Sequence, residues 1–221
     1  MINGQPEIKA LFLDIGGVFL TNGWDRVSRR TAADHFNIDY EEMNERHRII
    51  FDAYESGKST LDEYLNLLVF YEPRSFSVQE FKKFMMGQSQ PYQDMIALVT
   101  QIKQQYGLQT IAVNNEGKEI NEYRIKQYNL KSFIDVFASS CIIQARKPDR
   151  NIYLTALSLA QIKPEEAIYI DDRLVFIQAA QQLGINTIHH THLNTTRDAF
   201  SAFGLQPEAA SIQENFNKNN N

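Results

Sequence analysis

The feature that most constrains the fold is an apolar run at residues 8–13, Ile-Lys-Ala-Leu-Phe-Leu, which ends in Asp14 and is followed by Gly16 and Gly17. A continuous apolar run of this length, bounded by a turn signal, is typical of a strand that is buried on both faces. Strands of this kind occur in parallel sheets that helices cover on both sides. The sequence therefore predicts an α/β protein with Asp14 at the carboxyl end of its first strand.

A block of helical signals follows this strand. Thr60 and Ser77 are each followed by a glutamate three residues later, which is the capping-box pattern at the start of a helix. Each box leads into apolar residues at helical spacing. We therefore predict that residues 22–90 form a small helical domain inserted after the first strand.

Strand and helix patterns alternate in the rest of the chain. Pro91 suits the first position of a helix that Gly107 would end. The predicted strands are residues 108–113, 136–138, 167–170 and 186–188, and the helices between them include residues 151–160 and 174–183. This alternation predicts a three-layer α/β core with a mainly parallel, Rossmann-like sheet, formed by residues 1–21 and 91–205. The polar residues 206–221 are expected to form a frayed tail.

Composition limits the class of partner. The net charge of -5 gives no reason to expect nucleic-acid or anionic-membrane binding, so a small-molecule partner is expected. A single cysteine, Cys141, excludes an internal disulfide. The first residues lack the pattern of a secretory signal, and we expect a cytoplasmic protein. The sequence makes no prediction of the oligomeric state.

Reactive side chains stand near the ends of the predicted parallel strands, at the edge where open α/β sheets bind ligands. They are Asp14, Asn114, Asn115, Lys147, Asp171 and Asp172. Carboxylates, amides and one amine at a single edge could bind Mg²⁺ and a phosphate group together. A single strand-ending aspartate is more often a helix cap, so the order and placement of the set carry this interpretation.

Four sequence strings resemble the successive motifs of the haloacid dehalogenase-like hydrolase superfamily. They are LFLDIGGVFL, IAVNNEGKEINEYRI, ARKPDRNIY and AIYIDDRLVFIQAAQQLGI, and they are spread over residues 8–188, which is most of the chain. The helical block at residues 22–90 occupies the place of that superfamily's helical cap. The resemblance implies a Mg²⁺-dependent phosphatase that hydrolyses a small phosphorylated metabolite through an aspartyl-phosphate intermediate.

The resemblance also implies a role for each residue. Asp14 would be the nucleophile, and Lys147 would neutralise charge on Asp14 and on the phosphoryl group. Asn114 and Asn115, together with Lys147, would bind phosphate. The implied magnesium ligands are Asp14, the backbone carbonyl of Gly16, Asp171 and Asp172.

Three positions depart from the superfamily pattern. Gly16 stands where most of its phosphatases have a second aspartate, which protonates the leaving group; such acid–base help is typically worth ~10²–10⁴ in rate. Asn114 replaces a serine or threonine, although its amide can donate the same hydrogen bond. Phe176 replaces an asparagine, and the ring could either remove a polar contact or form an apolar wall.

The missing aspartate leads to an expectation about substrates and leaves two alternatives open. We expect a preference for leaving groups that need little protonation, such as those of acyl phosphates and anomeric sugar phosphates.

One alternative is a metal-free 2-haloacid dehalogenase, which would use Asp14 and Lys147 but would not need the Asp171–Asp172 pair. The other is a binding or regulatory protein that retains the fold with impaired catalysis.

Overall fold

The structure is a computed structural model that describes residues 7–207. Five strands form one parallel sheet: β1 Ala10–Leu13, β2 Gln109–Ala112, β3 Val136–Phe137, β4 Ala167–Asp171 and β5 Asn186–His189. Their order across the sheet is β3-β2-β1-β4-β5, and every pairing is parallel. The predicted α/β class with a parallel sheet is confirmed. Most of the predicted tail, from residue 208 onward, lies outside the described residues.

Ten α-helices accompany these strands within residues 7–207. They are α1 Arg26–Phe36, α2 Tyr40–Glu55, α3 Leu61–Leu68, α4 Val78–Met86, α5 Gln93–Tyr106, α6 Lys118–Gln127, α7 Ser140–Ile143, α8 Arg150–Ala160, α9 Leu174–Gln181 and α10 Leu193–Ala202. None of them combines the length and apolar character that crossing a membrane requires.

The central strand β1 is buried on both faces, as its apolar sequence predicts. Leu11 and Leu13 pack into a cluster with apolar residues of α5 and α10. Ala10 and Phe12 point to the opposite face and pack with residues of α8 and α9. Because successive side chains of a strand point to opposite faces, one apolar run supplies both cores and produces three layers.

Helices α1 to α4 surround a separate apolar cluster that includes Tyr64, Leu65 and Phe81. Thr60 and Ser77 each form the predicted capping box, in which the side-chain oxygen accepts the backbone N–H of the glutamate three residues later. We propose that residues 22–90 are a cap domain, since these helices contain a core of their own.

The chain enters and leaves the helical block at adjacent points. Leu20 and Pro91 form an isolated antiparallel bridge, and the Thr21 amide donates to the Gln90 carbonyl at 2.8 Å. The prediction that Pro91 begins a helix is wrong, because its backbone takes part in this bridge and α5 begins only at Gln93. The pairing supports our placement of the cap boundaries at residues 21–22 and 90–91.

Gly117, just before α6, provides a test of cap packing. A Cβ at this position would overlap the ring of Tyr54, which projects from α2. The φ of Gly117 is -68°, so alanine would cause no backbone strain. We expect Gly117→Ala to lower the free energy of unfolding by ~1–3 kcal/mol through this overlap, measured by urea denaturation.

Gly87→Ala is the matched control, because Gly87 also has a negative φ and a Cβ there would lie 3.4 Å from its nearest neighbours. It should change stability by no more than ~0.5 kcal/mol. Equal effects of the two substitutions would contradict the proposed contact between Gly117 and Tyr54.

Candidate active site

Strand register brings the first two groups of the site together. Leu13 of β1 is paired with Ala112 of β2 on one side and with Ile170 of β4 on the other. The next residues, Asp14 and Asp171, therefore lie at the same level of the sheet. The Asp14 amide continues the ladder by donating to the Ile170 carbonyl at 3.0 Å.

Lys147 joins these two carboxylates. Its Nζ lies 2.9 Å from Asp14 Oδ1 and 2.6 Å from Asp171 Oδ2. All three residues are buried, with 2%, 7% and 0% of their surface exposed for Lys147, Asp14 and Asp171. Burial opposes the charge on the ammonium, but the two carboxylates prevail and raise the pKa of Lys147. The lysine therefore remains a cation beside Asp14.

Asp171 has additional donors on both of its oxygens. Tyr169 donates its hydroxyl to Oδ2, and the Arg173 amide donates to Oδ1 at 2.7 Å. Together with Lys147, these contacts hold the carboxylate in one orientation. Asp171 is therefore well placed to hold Lys147 in position.

Asp172 is different, because its Oδ1 is buried and has no hydrogen-bond partner among the described residues. Gly17, with φ +83°, approaches it so closely that a Cβ would overlap the Asp172 carboxylate, so this turn requires glycine. Carboxylate oxygens of Asp14, Asp171 and Asp172 lie within 4.8 Å of one another. Oxygen ligands at this spacing suit a hard divalent cation.

The charge balance of the cluster also favours a cation. Three carboxylates face one ammonium group. Burial raises the pKa of Asp14 to about 7 against the opposing effect of Lys147. Burial, followed by the charge of Asp171, raises the pKa of Asp172 as well. Added positive charge near Asp14 and Asp172 would oppose both shifts and favour the ionised carboxylates.

The two asparagines after β2 have different surroundings. Asn114 Nδ2 donates to Asn121 Oδ1 at 3.2 Å, and Asn114 Oδ1 accepts from the Ser139 hydroxyl at 2.8 Å. Asn115 forms two bonds with the backbone of Lys147, donating at 3.0 Å and accepting at 2.8 Å. Asn114 keeps a second N–H for a ligand, whereas Asn115 fixes the loop that carries Lys147.

Beside Gly16, the structure places a charged pair that the sequence analysis did not identify. A Cβ on Gly16 would lie 3.0 Å from Asn22 Oδ1 and 3.8 Å from Arg124 Nη1. The buried Arg124 forms an ion pair with Glu116 and donates to the Thr21 carbonyl at 2.6 Å. Both members of the pair lie within the second quoted motif string, but only the packing of α6 shows that Arg124 lies beside Gly16.

A cavity of about 330 Å³ lies in front of Asp14. Its core side includes Asn114, Asn115 and Lys147, and Phe176 closes it with a ring whose centroid is 4.9 Å from Lys147 Nζ. Phe176 thus forms a wall of the cavity. Six basic residues line the cavity against four acidic ones: Arg26, Arg29, Arg124, Arg146, Lys147 and Arg173 against Asp14, Asp25, Glu55 and Glu116.

The cap side of the cavity includes Trp24, Arg29 and His47, which the sequence did not indicate as site residues. Trp24 Nε1 donates to the Tyr64 hydroxyl at 2.9 Å, and His47 Nδ1 lies 2.7 Å from the same hydroxyl. Burial lowers the pKa of His47 to about 3, so its imidazole is neutral at pH 7.

The sequence comparisons identify the family to which this chain belongs. The family described as haloacid dehalogenase-like hydrolase matches residues 22–190, which include Lys147, Asp171 and Asp172 but begin after Asp14. The match extends over more than half of the chain. The protein is a hydrolase that belongs to this family.

Relatives named as phosphatases align over most of the chain. Sesquiterpene phosphatase astK of Aspergillus oryzae is 28% identical over 189 residues, covering 83% of this chain and 90% of that protein. Phosphorylated carbohydrates phosphatase of Thermotoga maritima is 24% identical over 188 residues, with coverages of 82% and 84%. Mouse acyl-CoA dehydrogenase family member 10 is 33% identical over 94 residues, but the match spans only 9% of that protein.

Solved structures share the fold. A haloacid dehalogenase family enzyme from Bacteroides thetaiotaomicron superposes with a TM-score of 0.74 at 20% identity, covering 90% of this chain and 99% of that one. The same enzyme has been solved in complex with magnesium and inorganic phosphate, with a TM-score of 0.69, 20% identity and coverages of 83% and 94%.

The neutral His47 leads to a prediction about acid stability. Its pKa is lower in the folded protein than in the unfolded chain, so its contribution to stability is full above about pH 6.5 and is lost as the pH falls toward about 3. Between pH 7 and pH 5 this loss amounts to ~2 kcal/mol. We expect His47→Gln to reduce the acid sensitivity of the unfolding free energy in this interval, as measured by urea denaturation. The exposed His35 provides the control, since His35→Gln should leave the pH dependence of the wild type in place.

Proposed function

We propose that this protein hydrolyses a small phosphorylated metabolite with the help of Mg²⁺, through a phosphorylated Asp14. One observation carries the proposal: Lys147 holds the buried Asp14 beside the unpartnered Asp172 oxygen, at the base of a cavity rich in arginine. The relatives named as phosphatases, and the related enzyme solved with magnesium and phosphate, support the same reaction class.

Asp172 is the residue best suited to direct contact with Mg²⁺, because one of its oxygens has no hydrogen-bond partner in the described part of the chain. We assign an Asp14 oxygen and the Gly16 backbone carbonyl to the same ion. Asp171 contributes directly or through water, since Lys147 and the Arg173 amide already occupy its oxygens. Bound Mg²⁺ would reduce the repulsion between the anionic nucleophile and the anionic substrate.

Asp14 acts as the nucleophile in this proposal. One of its oxygens forms a bond to phosphorus while the bond from phosphorus to the leaving-group oxygen breaks. Water then attacks the aspartyl phosphate, which releases inorganic phosphate and restores the carboxylate. Lys147 remains protonated throughout and stabilises negative charge on the nucleophile and the phosphoryl oxygens.

The asparagines place the phosphoryl group. Asn114 donates its free N–H to a phosphoryl oxygen, while Ser139 and Asn121 fix the plane of its amide. Asn115 acts as a positioning residue through its two hydrogen bonds to the Lys147 backbone. Lys147 therefore reaches the phosphoryl group from a fixed loop.

Two alternative functions predict different results. A metal-free dehalogenase has no use for the unpartnered Asp172 oxygen, and it would release halide from a 2-haloacid without Mg²⁺. A binding protein with impaired catalysis would fail on a broad panel of phosphate esters in the presence of Mg²⁺. The arginine-rich cavity beside an intact Asp14–Lys147 pair favours phosphoryl transfer over both.

The first test is a panel of phosphorylated metabolites assayed with Mg²⁺ and with excess EDTA. We expect turnover that requires Mg²⁺ and that falls at least ~10³-fold in Asp14→Asn, because the nucleophile is lost. Asp172→Asn should raise the Mg²⁺ concentration needed for half-maximal rate. The exposed Asp34 provides the matched control, and Asp34→Asn should retain wild-type turnover. Activity that survives Asp14→Asn would contradict the mechanism.

Gly16 generates the second test. With no side chain to donate a proton, the enzyme should hydrolyse acetyl phosphate or a sugar 1-phosphate faster than a simple alkyl phosphate. Gly16→Asp should raise the alkyl rate by about 10–100-fold, which is at or below the lower limit of the ~10²–10⁴ typical of acid–base help, because Arg124 lies close enough to favour the ionised carboxylate.

Gly16→Asn matches the aspartate in shape but cannot donate a carboxyl proton, so it serves as the control. A similar gain in Gly16→Asn, or equal wild-type rates on acyl and alkyl phosphates, would show that proton transfer does not limit turnover.

A further inference from the structure

Arg29 is a buried cation that forms no ion pair with an acidic side chain among the described residues. It lies on α1, only 7% of its surface is exposed, and it lines the cavity that contains Asp14. Within residues 7–207, no carboxylate forms an ion pair with it. A buried charge without a counter-ion destabilises a fold, so its presence requires an explanation.

The other buried or partly buried cations of the cavity are neutralised. Arg146 pairs with Asp52 at 2.9 Å and with Glu55 at 2.6 Å. Arg124 pairs with Glu116, and Lys147 pairs with Asp14 and Asp171. Arg26 and Arg173 are exposed, so water solvates their charges. Arg29 is thus the buried arginine of this cavity that forms no ion pair with the described residues; Asp25 and Glu55 favour its charge only from beyond ion-pair distance.

The hydrogen bonds of Arg29 leave some of its N–H donors available for a ligand. Nη1 donates to the Trp24 carbonyl at 2.7 Å, and Nη2 donates to Asn44 Oδ1 at 3.3 Å. Both acceptors are neutral, and Nε is buried without any partner in the described part of the chain. A guanidinium group offers five N–H donors in a planar fork that matches a carboxylate or a phosphate.

His47 does not contribute a positive charge to the cavity at pH 7. Burial, and then the charges of Arg29 and Arg146, lower its pKa to about 3, so it is neutral at pH 7. Arg146 faces the cap but is paired with Asp52 and Glu55. The buried positive charge that remains available to an anion on this side of the cavity is therefore that of Arg29.

We propose that Arg29 binds a second anionic group of the substrate, a carboxylate or a second phosphate, while Asp14 and Lys147 engage the phosphoryl group that is transferred. This inference rests on the proposed phosphatase function and narrows its substrate class to compact metabolites with two anionic groups. A cavity of about 330 Å³ lies at the small end of the range for ligand sites, which suits such a molecule.

The experiment measures binding rather than turnover. Asp14→Asn protein with Mg²⁺ is titrated calorimetrically with two matched pairs of probes. Glycerol 3-phosphate against 3-phosphoglycerate tests an added carboxylate, and glucose 1-phosphate against glucose 1,6-bisphosphate tests an added phosphate. The measured quantity is the ratio of dissociation constants within each pair, so a general loss of affinity cancels.

We expect the second anion to tighten binding by at least ~10-fold in one pair, as for a charge-assisted contact in a buried site. Adding Arg29→Gln should reduce that ratio to below ~3-fold, while Arg29→Lys, which keeps the charge, should retain part of the preference. Arg30→Gln is the matched control on the same helix, since Arg30 is exposed and pairs with Glu41, and it should keep the full ratio. Melting temperatures and circular dichroism verify that each variant is folded.

A ratio near one in both pairs, or a ratio unchanged by Arg29→Gln, overturns the inference while leaving the phosphatase proposal intact. If Arg29 served only to tie Trp24 to Asn44, its loss would weaken both members of a pair equally. Failure of all four probes to bind contradicts the phosphatase proposal, and this inference falls with it.

Discussion

The buried cluster of Lys147 with Asp14 and Asp171 is the interaction on which the rest of the structure depends. One ammonium group lies between carboxylates from the ends of two neighbouring strands. Such a cluster is tolerable inside a protein only when its geometry is held closely, because each buried charge is costly without its partner. The parallel register of β1 and β4 sets the two carboxylates, and Asn115 fixes the Lys147 backbone. Fold and chemistry therefore rely on the same contacts.

The cluster also separates charge within the cavity. At its base, burial and the neighbouring carboxylates raise the pKa values of Asp14 and Asp172, which favours a divalent cation. On the walls, arginines predominate, which favours an anionic ligand. The helical block contributes Arg29 and His47 to the same cavity. In our proposal the two halves are complementary: the sheet edge supplies the reacting groups, and the cap supplies recognition.

Sequence reasoning predicted correctly which carboxylates lie together at the end of the sheet. Asp14, Asp171 and Asp172 could be located because parallel strands must end at one edge. The same reasoning placed Pro91 wrongly, since local helix preference could not reveal its bridge to Leu20. It also missed Arg29, because the direction in which a cap residue points depends on how α1 packs over the core, and helical periodicity does not encode that packing.

The sequence by itself determined the α/β class, the position of Asp14, the absence of a proton donor at Gly16 and the resemblance to a hydrolase family. These properties are local or follow from the chain order of strands. Only the tertiary structure decided that Phe176 forms a wall, that Arg124 lies beside Gly16 and that Arg29 forms no ion pair within residues 7–207. Each of these depends on which residues far apart in the chain pack together. Polar and charged contacts between such residues are stronger when they are buried.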